Sequence, residues 1–300
     1  MKLTIEDFRE YICSELRKKL GNNYEVENEN AIKLNSIGCM GIRIQKSHTN
    51  ICPVIYMEGI YEQYESNEIT LEEAAICAHM MYQNAKSEAE VKAEITWMED
   101  WETAKEFLKT KLINTERNEK LLPQVPHKDI CNLSIIFYLA LETKEGISAG
   151  VTINHELMNL YGQNVDSLYE QAINNISEDD VRFMGLHDMV KKADSKSFDY
   201  NEEEVAQVEM YVLTNKQNMF GASVILSPCA QNLIQETIKR SVYVLPCSVH
   251  ETILIPYKSD MNPEDLCNMV KEVNAAMICP MEYLADNVYL LKNGKLELVV

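Results

Sequence analysis

The sequence predicts an α+β fold in which antiparallel sheets, built from β-hairpins, are covered by helices, with one long connecting helix. Three observations support this class. Capped segments with apolar residues at helical spacing alternate with short runs rich in β-branched and aromatic residues. A hairpin followed by a helix is indicated in the middle third and again in the last third. The 300 residues, 46% of them hydrophobic, can bury a sizeable core.

The first 85 residues have the pattern of an N-terminal α-β-β-β-α unit. Thr4 can cap a helix whose apolar residues recur at helical spacing until Gly21. Three short apolar runs predict a small meander of strands, at 31–34, 41–44 and 52–56. Thr70 and Glu73 have the spacing of a capping box, which predicts that a second helix begins there.

A long connecting helix is predicted next, within residues 86–122. Residues 87–113 contain no Gly or Pro, and Ala, Glu, Lys and Leu dominate them. Their apolar residues recur at near-helical spacing, which would place them on one side of a helix. At 1.5 Å per residue, such a helix would be roughly 40 Å long.

Residues 123–300 are predicted to form a C-terminal α+β domain. Two hairpins are expected in it, from 132–141 with 147–153 and from 208–214 with 221–226. An acidic surface loop is expected between them, at about 177–204.

Polar caps and turn residues place the remaining elements of this domain. Asn164, Ser227 with Pro228, and Asn262 with Pro263 are expected to begin helices. The pair Asn293-Gly294 predicts a final hairpin. The stretch 242–257, VYVLPCSVHETILIPY, is predicted as strand, turn and strand at the centre of the C-terminal sheet.

Charge and cysteine usage exclude several classes of function. The formal net charge of -19 repels phosphate backbones and anionic lipid, so a nucleic-acid or membrane partner is not expected. The nine cysteines are odd in number and include no CxxC pair, which indicates reduced thiols and a cytoplasmic location.

The N-terminal helix carries acidic residues that do not suit a secretory signal. No run reaches eighteen consecutive apolar residues.

The turn within 242–257 holds the densest group of chemically capable side chains, namely Cys247, Ser248, His250 and Glu251. One hypothesis is a catalytic site in which His250 activates Cys247 or Ser248 while a carboxylate orients the ring. Three carboxylates are candidates for that role: Glu251, Glu282 and Asp286. The alternative is a structural turn whose hydroxyl and imidazole bind local backbone.

No metal or cofactor is expected from the motifs. His250-Glu251 is not followed by a second histidine four residues on, so the zinc-protease helix motif is absent. The chain also lacks GxGxxG, GxxxxGK[ST] and GxSxG.

A second candidate site is a ligand-binding surface around Tyr56, Glu58 and Tyr61. Tyrosines beside carboxylates suit an amine or a partner surface. The plain alternative is an amphipathic helix with tyrosines at its edge. Asp286 is a further candidate for ligand binding.

Four stretches carry a family resemblance: PVIYMEGIYEQY at 53–64, INHELMNLYG at 153–162, MYVLTNKQNMFGASVIL at 210–226 and LPCSVHETILIP at 245–256. They resemble an uncharacterised family of clostridial, often gut-bacterial, proteins, and the likeness covers nearly the whole chain. The resemblance implies a domain of unknown function and no activity. In that family the turn reads Leu-Pro-Ser-Ser-hydrophobic-His-Glu. Cys247 replaces the first Ser here, which weakens any mechanism that requires Cys247 as nucleophile.

The absence of a complete catalytic motif favours a non-enzymatic role. The leading hypothesis is a cytoplasmic binding or accessory protein that recognises a protein or a small ligand. The alternative is a cytosolic hydrolase or transferase that uses His250 and Glu251 with Cys247 or Ser248.

Overall fold

A computed structural model describes residues 2–47, 52–89, 95–142, 148–186, 188, 209–246 and 248–300 of the chain. The chain divides into two compact units, Met1–Ile95 and Thr96–Val300. In both units the strands pair in antiparallel fashion. The predicted α+β class is therefore confirmed.

Unit 1 combines three helices with a three-stranded sheet. The helices are α1 (Ile5–Leu20), α2 (Glu58–Glu65) and α3 (Leu71–Ala89), and the strands are β1 (Tyr24–Ile32), β2 (Gly38–Lys46) and β3 (Val54–Tyr56), in the order β1-β2-β3. The Thr4 side chain accepts a hydrogen bond from the Asp7 N–H and caps α1, as predicted. The predicted capping box also forms, because Thr70 and Glu73 exchange hydrogen bonds of 2.8 and 3.2 Å. The core of the unit lies between α1, α3 and the sheet.

The first part of unit 2 is a four-stranded sheet with short helices. Its strands are β4 (Leu108–Asn114), β5 (His127–Ile130), β6 (Leu133–Glu142) and β7 (Ser148–Thr152), and β6 pairs with the other three. Its helices are α4 (Trp101–Ala104), α5 (His155–Leu160) and α6 (Val165–Asn174). Asn164 caps α6, as predicted.

The predicted long helix is wrong for residues 95–114. The chain forms a 3-10 turn at Ile95–Glu99, then α4, a second 3-10 turn at Lys105–Phe107, and strand β4. Asp100 accepts a hydrogen bond from the Thr103 N–H and begins a new helix. All residues of β4 except the half-buried Lys109 are buried, and β4 pairs with β6 along its whole length. Pairing and burial therefore override the helix propensity of this segment.

The second part of unit 2 is a six-stranded sheet in the order β13-β12-β10-β11-β9-β8. Its strands are β8 (Val181–Gly185), β9 (Tyr211–Asn215), β10 (Val242–Leu245), β11 (Thr252–Pro256), β12 (Tyr289–Lys292) and β13 (Lys295–Leu298). The predicted strand-turn-strand of 242–257 is confirmed at the centre of this sheet. The predicted final hairpin is also confirmed, with positive φ at Asn293 (51°) and Gly294 (74°).

Helices cover both faces of this sheet. Helix α7 (Pro228–Ile238) begins at the Ser227 cap, and α8 (Pro263–Met277) begins at the Asn262 cap, as predicted. Tyr243, Leu245 and Ile255 on one face of the central strands pack against α8. Within the described part of the chain, no helix is long and apolar enough to cross a membrane.

The predicted second hairpin is wrong. Gly221–Leu226 is a buried 3-10 segment, and β9 pairs instead with β8 and β11. We call Gly221–Leu226 the bridging segment, because it contacts β9 and β4 and joins the two sheets of unit 2. The Ser223 hydroxyl donates to the Thr110 carbonyl (3.0 Å) across this junction. A side chain at Gly221 would meet the Thr214 Oγ1, the Asn215 N and the His250 O within 2.6 Å, so only glycine fits there.

The expected acidic loop at 177–204 is described only in part. Glu178–Asp180 is a 3-10 turn and β8 follows it directly. Residue 187 and residues 189–204 lie outside the described residues.

Candidate functional site

The turn between β10 and β11 is held by the Ser248 hydroxyl. Ser248 is 2% exposed, and its Oγ donates to the Glu251 Oε1 (2.8 Å) while it accepts from the His250 N–H (3.0 Å). These bonds close a tight local turn of the kind that serine often makes with nearby backbone. The hydroxyl proton of Ser248 is thus directed at Glu251 and away from the imidazole of His250.

The His250 side chain fixes the start of the bridging segment. Its Nδ1 accepts a hydrogen bond from the Phe220 N–H (3.1 Å), and its ring stacks on the Phe220 ring with 5.5 Å between centroids. Its Nε2 lies 3.6 Å from the Glu282 Oε1. Of the three candidate carboxylates, Glu282 faces the ring. The Nδ1 contact places the proton of a neutral ring on Nε2, toward Glu282.

Phe220 has an unusual backbone that these contacts maintain. Its φ is +54°, in the left-handed region that non-glycine residues rarely adopt. The Phe220 ring meets the ring of Tyr138 on β6 edge-on, with 5.6 Å between the ring centroids. Three aromatic rings, those of His250, Phe220 and Tyr138, are therefore in successive contact.

Lys111 lies against two of these rings and was not among the residues predicted from the sequence. It is 8% exposed, and its Nζ lies 4.2 Å from the Phe220 ring centroid and 4.7 Å from that of Tyr138. No carboxylate among the described residues pairs with it. Burial lowers the pKa of Lys111 to about 8, since an unpaired ammonium is costly away from water. Burial also raises the pKa of the Tyr138 hydroxyl to about 12.

A groove lies between the edge of the six-stranded sheet and α7. Phe183 on β8 and Tyr211 on β9 stack with 5.1 Å between ring centroids and 23° between ring planes. Gly185 is paired with Tyr211 and leaves the space beside that ring open. Leu233 and Thr237, one turn apart on α7, form the opposite wall, and the Asp188 carboxylate lies at the end of β8. The cavity has a volume of about 570 Å³, which is within the range of small-molecule sites.

Comparison with known proteins decides the family. The family model described as "Family of unknown function (DUF5688)" matches residues 5–293. The chain belongs to DUF5688. No curated protein and no solved structure matches it.

The four predicted catalytic residues are only partly brought together in this DUF5688 protein. Ser248 contacts Glu251, and His250 contacts Phe220 and faces Glu282. Cys247 lies outside the described residues. Among the described residues, no group of three or more His, Cys, Asp or Glu side chains is placed to hold a metal ion.

The tyrosines predicted for ligand binding lie in unit 1 and have local partners. The Lys33 Nζ lies 3.5 Å from the Tyr56 ring centroid, and the Tyr61 hydroxyl donates to the Leu3 carbonyl (3.0 Å). The Glu58 carboxylate accepts a hydrogen bond from the Met40 N–H. Residues 58–65 form helix α2, with Tyr61 packed at the edge of the core.

Asp286, the remaining ligand-binding candidate of this DUF5688 protein, lies in unit 2. Its Oδ1 accepts a hydrogen bond from the Asn274 Nδ2 (2.8 Å), and its backbone carbonyl accepts one from the Cys267 Sγ. These contacts tie Asp286 to α8. Its role in ligand binding stays a prediction.

The groove and Lys111 are the features that sequence reasoning missed. Their residues come from separate segments, so no local spacing marks them. Lys111 could have been found if residues 108–114 had been assigned to a strand. Because side chains alternate between the two faces of a strand, Lys111 would then have been placed on the same face as Lys109. Lys109 is paired with Tyr138 of the neighbouring strand β6, so Tyr138 lies on that face too.

Proposed function

We propose that this DUF5688 protein is a cytoplasmic binding protein for a small organic cation with an apolar body, bound in the groove of Phe183, Tyr211 and Asp188. The observation that carries the proposal is the groove itself. It combines a cavity of about 570 Å³, a stacked aromatic pair and one carboxylate.

The chemistry of the groove walls supports a cationic ligand. Phe183, Tyr211, Met184 and Leu233 offer apolar and aromatic surface to the body of a ligand. Asp188 offers a carboxylate to an ammonium group, and aromatic faces attract cations within about 6 Å. The net charge of -19 raises the local concentration of cations around the whole chain.

One further feature supports a reducing compartment. All of the described cysteines are free thiols, as is usual in the cytoplasm. The hydrolase or transferase alternative gains no comparable support. The Ser248 hydroxyl is buried and hydrogen-bonded to Glu251, and the His250 Nδ1 is occupied by the Phe220 N–H.

Saturation-transfer NMR with amines tests the proposal. The probes are tryptamine and 2-phenylethylamine, each compared with a neutral analogue of the same shape, 3-propylindole and propylbenzene. We expect both amines to receive saturation from the protein and to bind more tightly than their neutral analogues. High salt should reduce this preference, because it screens the exposed Asp188 carboxylate.

Two variants locate the binding. Tyr211→Ala should weaken amine binding about fivefold or more, since a stacked ring contributes on the order of 1 kcal/mol. Asp188→Asn should remove the preference for the amine over its neutral analogue. Tyr257→Ala, which changes a 42% exposed tyrosine outside the groove, is the matched control. If no amine binds at millimolar concentration, or if Tyr257→Ala and Tyr211→Ala weaken binding equally, the proposal is wrong.

A further inference from the structure

Lys111 combines a buried amine with two aromatic faces. Its side chain projects from β4 on the face that also carries Tyr138 of the neighbouring strand. Its Nζ lies 4.2 Å from the Phe220 ring centroid and 4.7 Å from the Tyr138 ring centroid. Buried lysines in proteins usually have a carboxylate partner, and among the described residues none pairs with Lys111.

Neighbouring residues hold both rings in place around this amine. A side chain at Gly150 would come within 2.7 Å of the Tyr138 ring, so glycine at this position leaves room for the ring. The His250 Nδ1 binds the backbone of Phe220 and its imidazole stacks on the Phe220 ring. The rings are therefore positioned by contacts that do not involve Lys111.

We propose that Lys111 is a reactive amine that condenses with the carbonyl group of a small aldehyde or ketone. The neutral Nζ attacks the carbonyl carbon and forms a C–N bond, and the carbonyl oxygen takes up a proton. Loss of water from this carbinolamine gives the imine. The overall change is amine plus carbonyl to imine plus water, and no oxidant or reductant is needed.

Two physical effects favour this chemistry at Lys111. Burial lowers the pKa of Lys111 to about 8, so near neutral pH it has a much larger share of free amine than a lysine of ordinary pKa. The imine nitrogen is positively charged when protonated, and the faces of Phe220 and Tyr138 stabilise a cation there. The residues involved are separate from those that line the groove, so the two proposals are independent.

Reductive trapping of the full-length wild-type chain tests the proposal. The protein is incubated with propanal and sodium cyanoborohydride near pH 7, and the propylated lysines are quantified by peptide mass spectrometry. We expect Lys111 to be modified about tenfold faster than Lys109, which lies on the same strand, and than Lys128, which is only partly buried and pairs with Asp166. The preference should disappear in urea, where all three amines are in water.

Variants separate the amine chemistry from the local packing. Lys111→Arg keeps the positive charge and should abolish the adduct at this position only. Phe220→Leu should reduce trapping at Lys111 several-fold, whereas Phe183→Leu, which removes a ring from the groove, should leave it unchanged. The proposal is overturned if Lys111 in the folded wild-type chain reacts no faster than Lys109 and Lys128, or if the preference persists in urea.

Discussion

The imidazole of His250 makes contacts that a smaller side chain cannot replace. It accepts the Phe220 N–H, stacks on the Phe220 ring and faces the Glu282 carboxylate. The accepted N–H belongs to a residue with left-handed backbone, so its hydrogen bond also helps to hold that conformation. The histidine thereby connects the turn between β10 and β11 to the bridging segment.

His250→Ala should therefore lower the stability of unit 2 by about 2–3 kcal/mol. The change leaves the Phe220 N–H without its acceptor and removes a stacked ring, and each loss costs on the order of 1 kcal/mol or more. Urea unfolding followed by the fluorescence of Trp97 and Trp101 measures the effect. His155→Ala, at an exposed histidine, should change stability by less than about 0.5 kcal/mol. Equal effects of the two substitutions would contradict a structural role for His250.

The buried ammonium of Lys111 gives the stability a dependence on pH. Its pKa is about 8 in the folded chain, against the usual 10.5 that applies when the chain is unfolded. The unfolded state therefore binds more protons between these two pH values, so this group makes the folded state more stable as pH rises through them. Below the folded pKa, the buried charge opposes folding.

Lys111→Met should accordingly stabilise the protein at neutral pH and lose this advantage in base. We expect a gain of about 2 kcal/mol near pH 7, because the desolvation cost is partly offset by the ring contacts. The gain should shrink above the folded pKa of about 8 and vanish near 10.5. Paired urea titrations of wild type and variant across this range measure the difference. Lys109→Met, on the same strand, controls for substitution of β4, and a gain from Lys111→Met that does not change with pH would contradict the expectation.

Among the elements, the bridging segment depends on the absence of a side chain at Gly221. Because Gly221 has no side chain, the segment can approach β9 and the turn between β10 and β11 closely. Gly221→Ala should cost about 3 kcal/mol, because the new Cβ would meet the backbone atoms Asn215 N and His250 O at 2.6 Å. Gly185→Ala is the matched control, since its nearest atom would be the Asp188 Oδ2 at an ordinary 3.5 Å. Tryptophan fluorescence in urea compares the two, and a Gly221→Ala chain as stable as wild type would refute the steric argument.

The sequence predicted those elements whose signals are local. Thr4, Ser227 and Asn262 cap helices because a polar side chain and the N–H that it binds are only two or three residues apart. The turn at Asn293-Gly294 needs positive φ at both residues, which this pair tolerates. Such signals depend little on the rest of the fold.

Two elements whose state depends on distant partners, β4 and the bridging segment, were predicted wrongly. Most residues of β4 are leucines and lysines, which are good helix formers. They form a strand because Leu112 pairs with Ile135 and its neighbours pair along β6 in the same way. The bridging segment has the apolar, β-branched composition of a strand, but it is buried between two sheets. In both cases tertiary contacts outweigh local preference.

The candidate sites show the same division between local and distant signals. The Ser248 to Glu251 contact lies within one turn and could be anticipated, as could a carboxylate such as Glu282 beside His250. The stack of Phe183 on Tyr211 joins residues from two strands that are separated in sequence by an undescribed segment. No spacing rule identifies such a pair without the sheet order.

At the scale of the whole molecule, each unit has a core of its own. Among the described residues, the buried core of unit 1 runs from Phe8 to Tyr82. A core in unit 2 forms where β10 and β11 pack on α8. A compact unit with its own apolar core is the physical definition of a domain that can fold alone.

Fragments 1–95 and 96–300 should therefore fold independently. We expect each purified fragment to unfold cooperatively in urea and to give a dispersed amide NMR spectrum, because each retains its own core. Fragment 1–65 is the control: it lacks α3 and with it the buried Ala74, Ala78 and Tyr82, so it should remain unfolded. Fragment 1–95 could instead behave like fragment 1–65, with poorly dispersed amide signals and no cooperative transition. That result would show that the core between Phe8 and Tyr82 is not sufficient for folding.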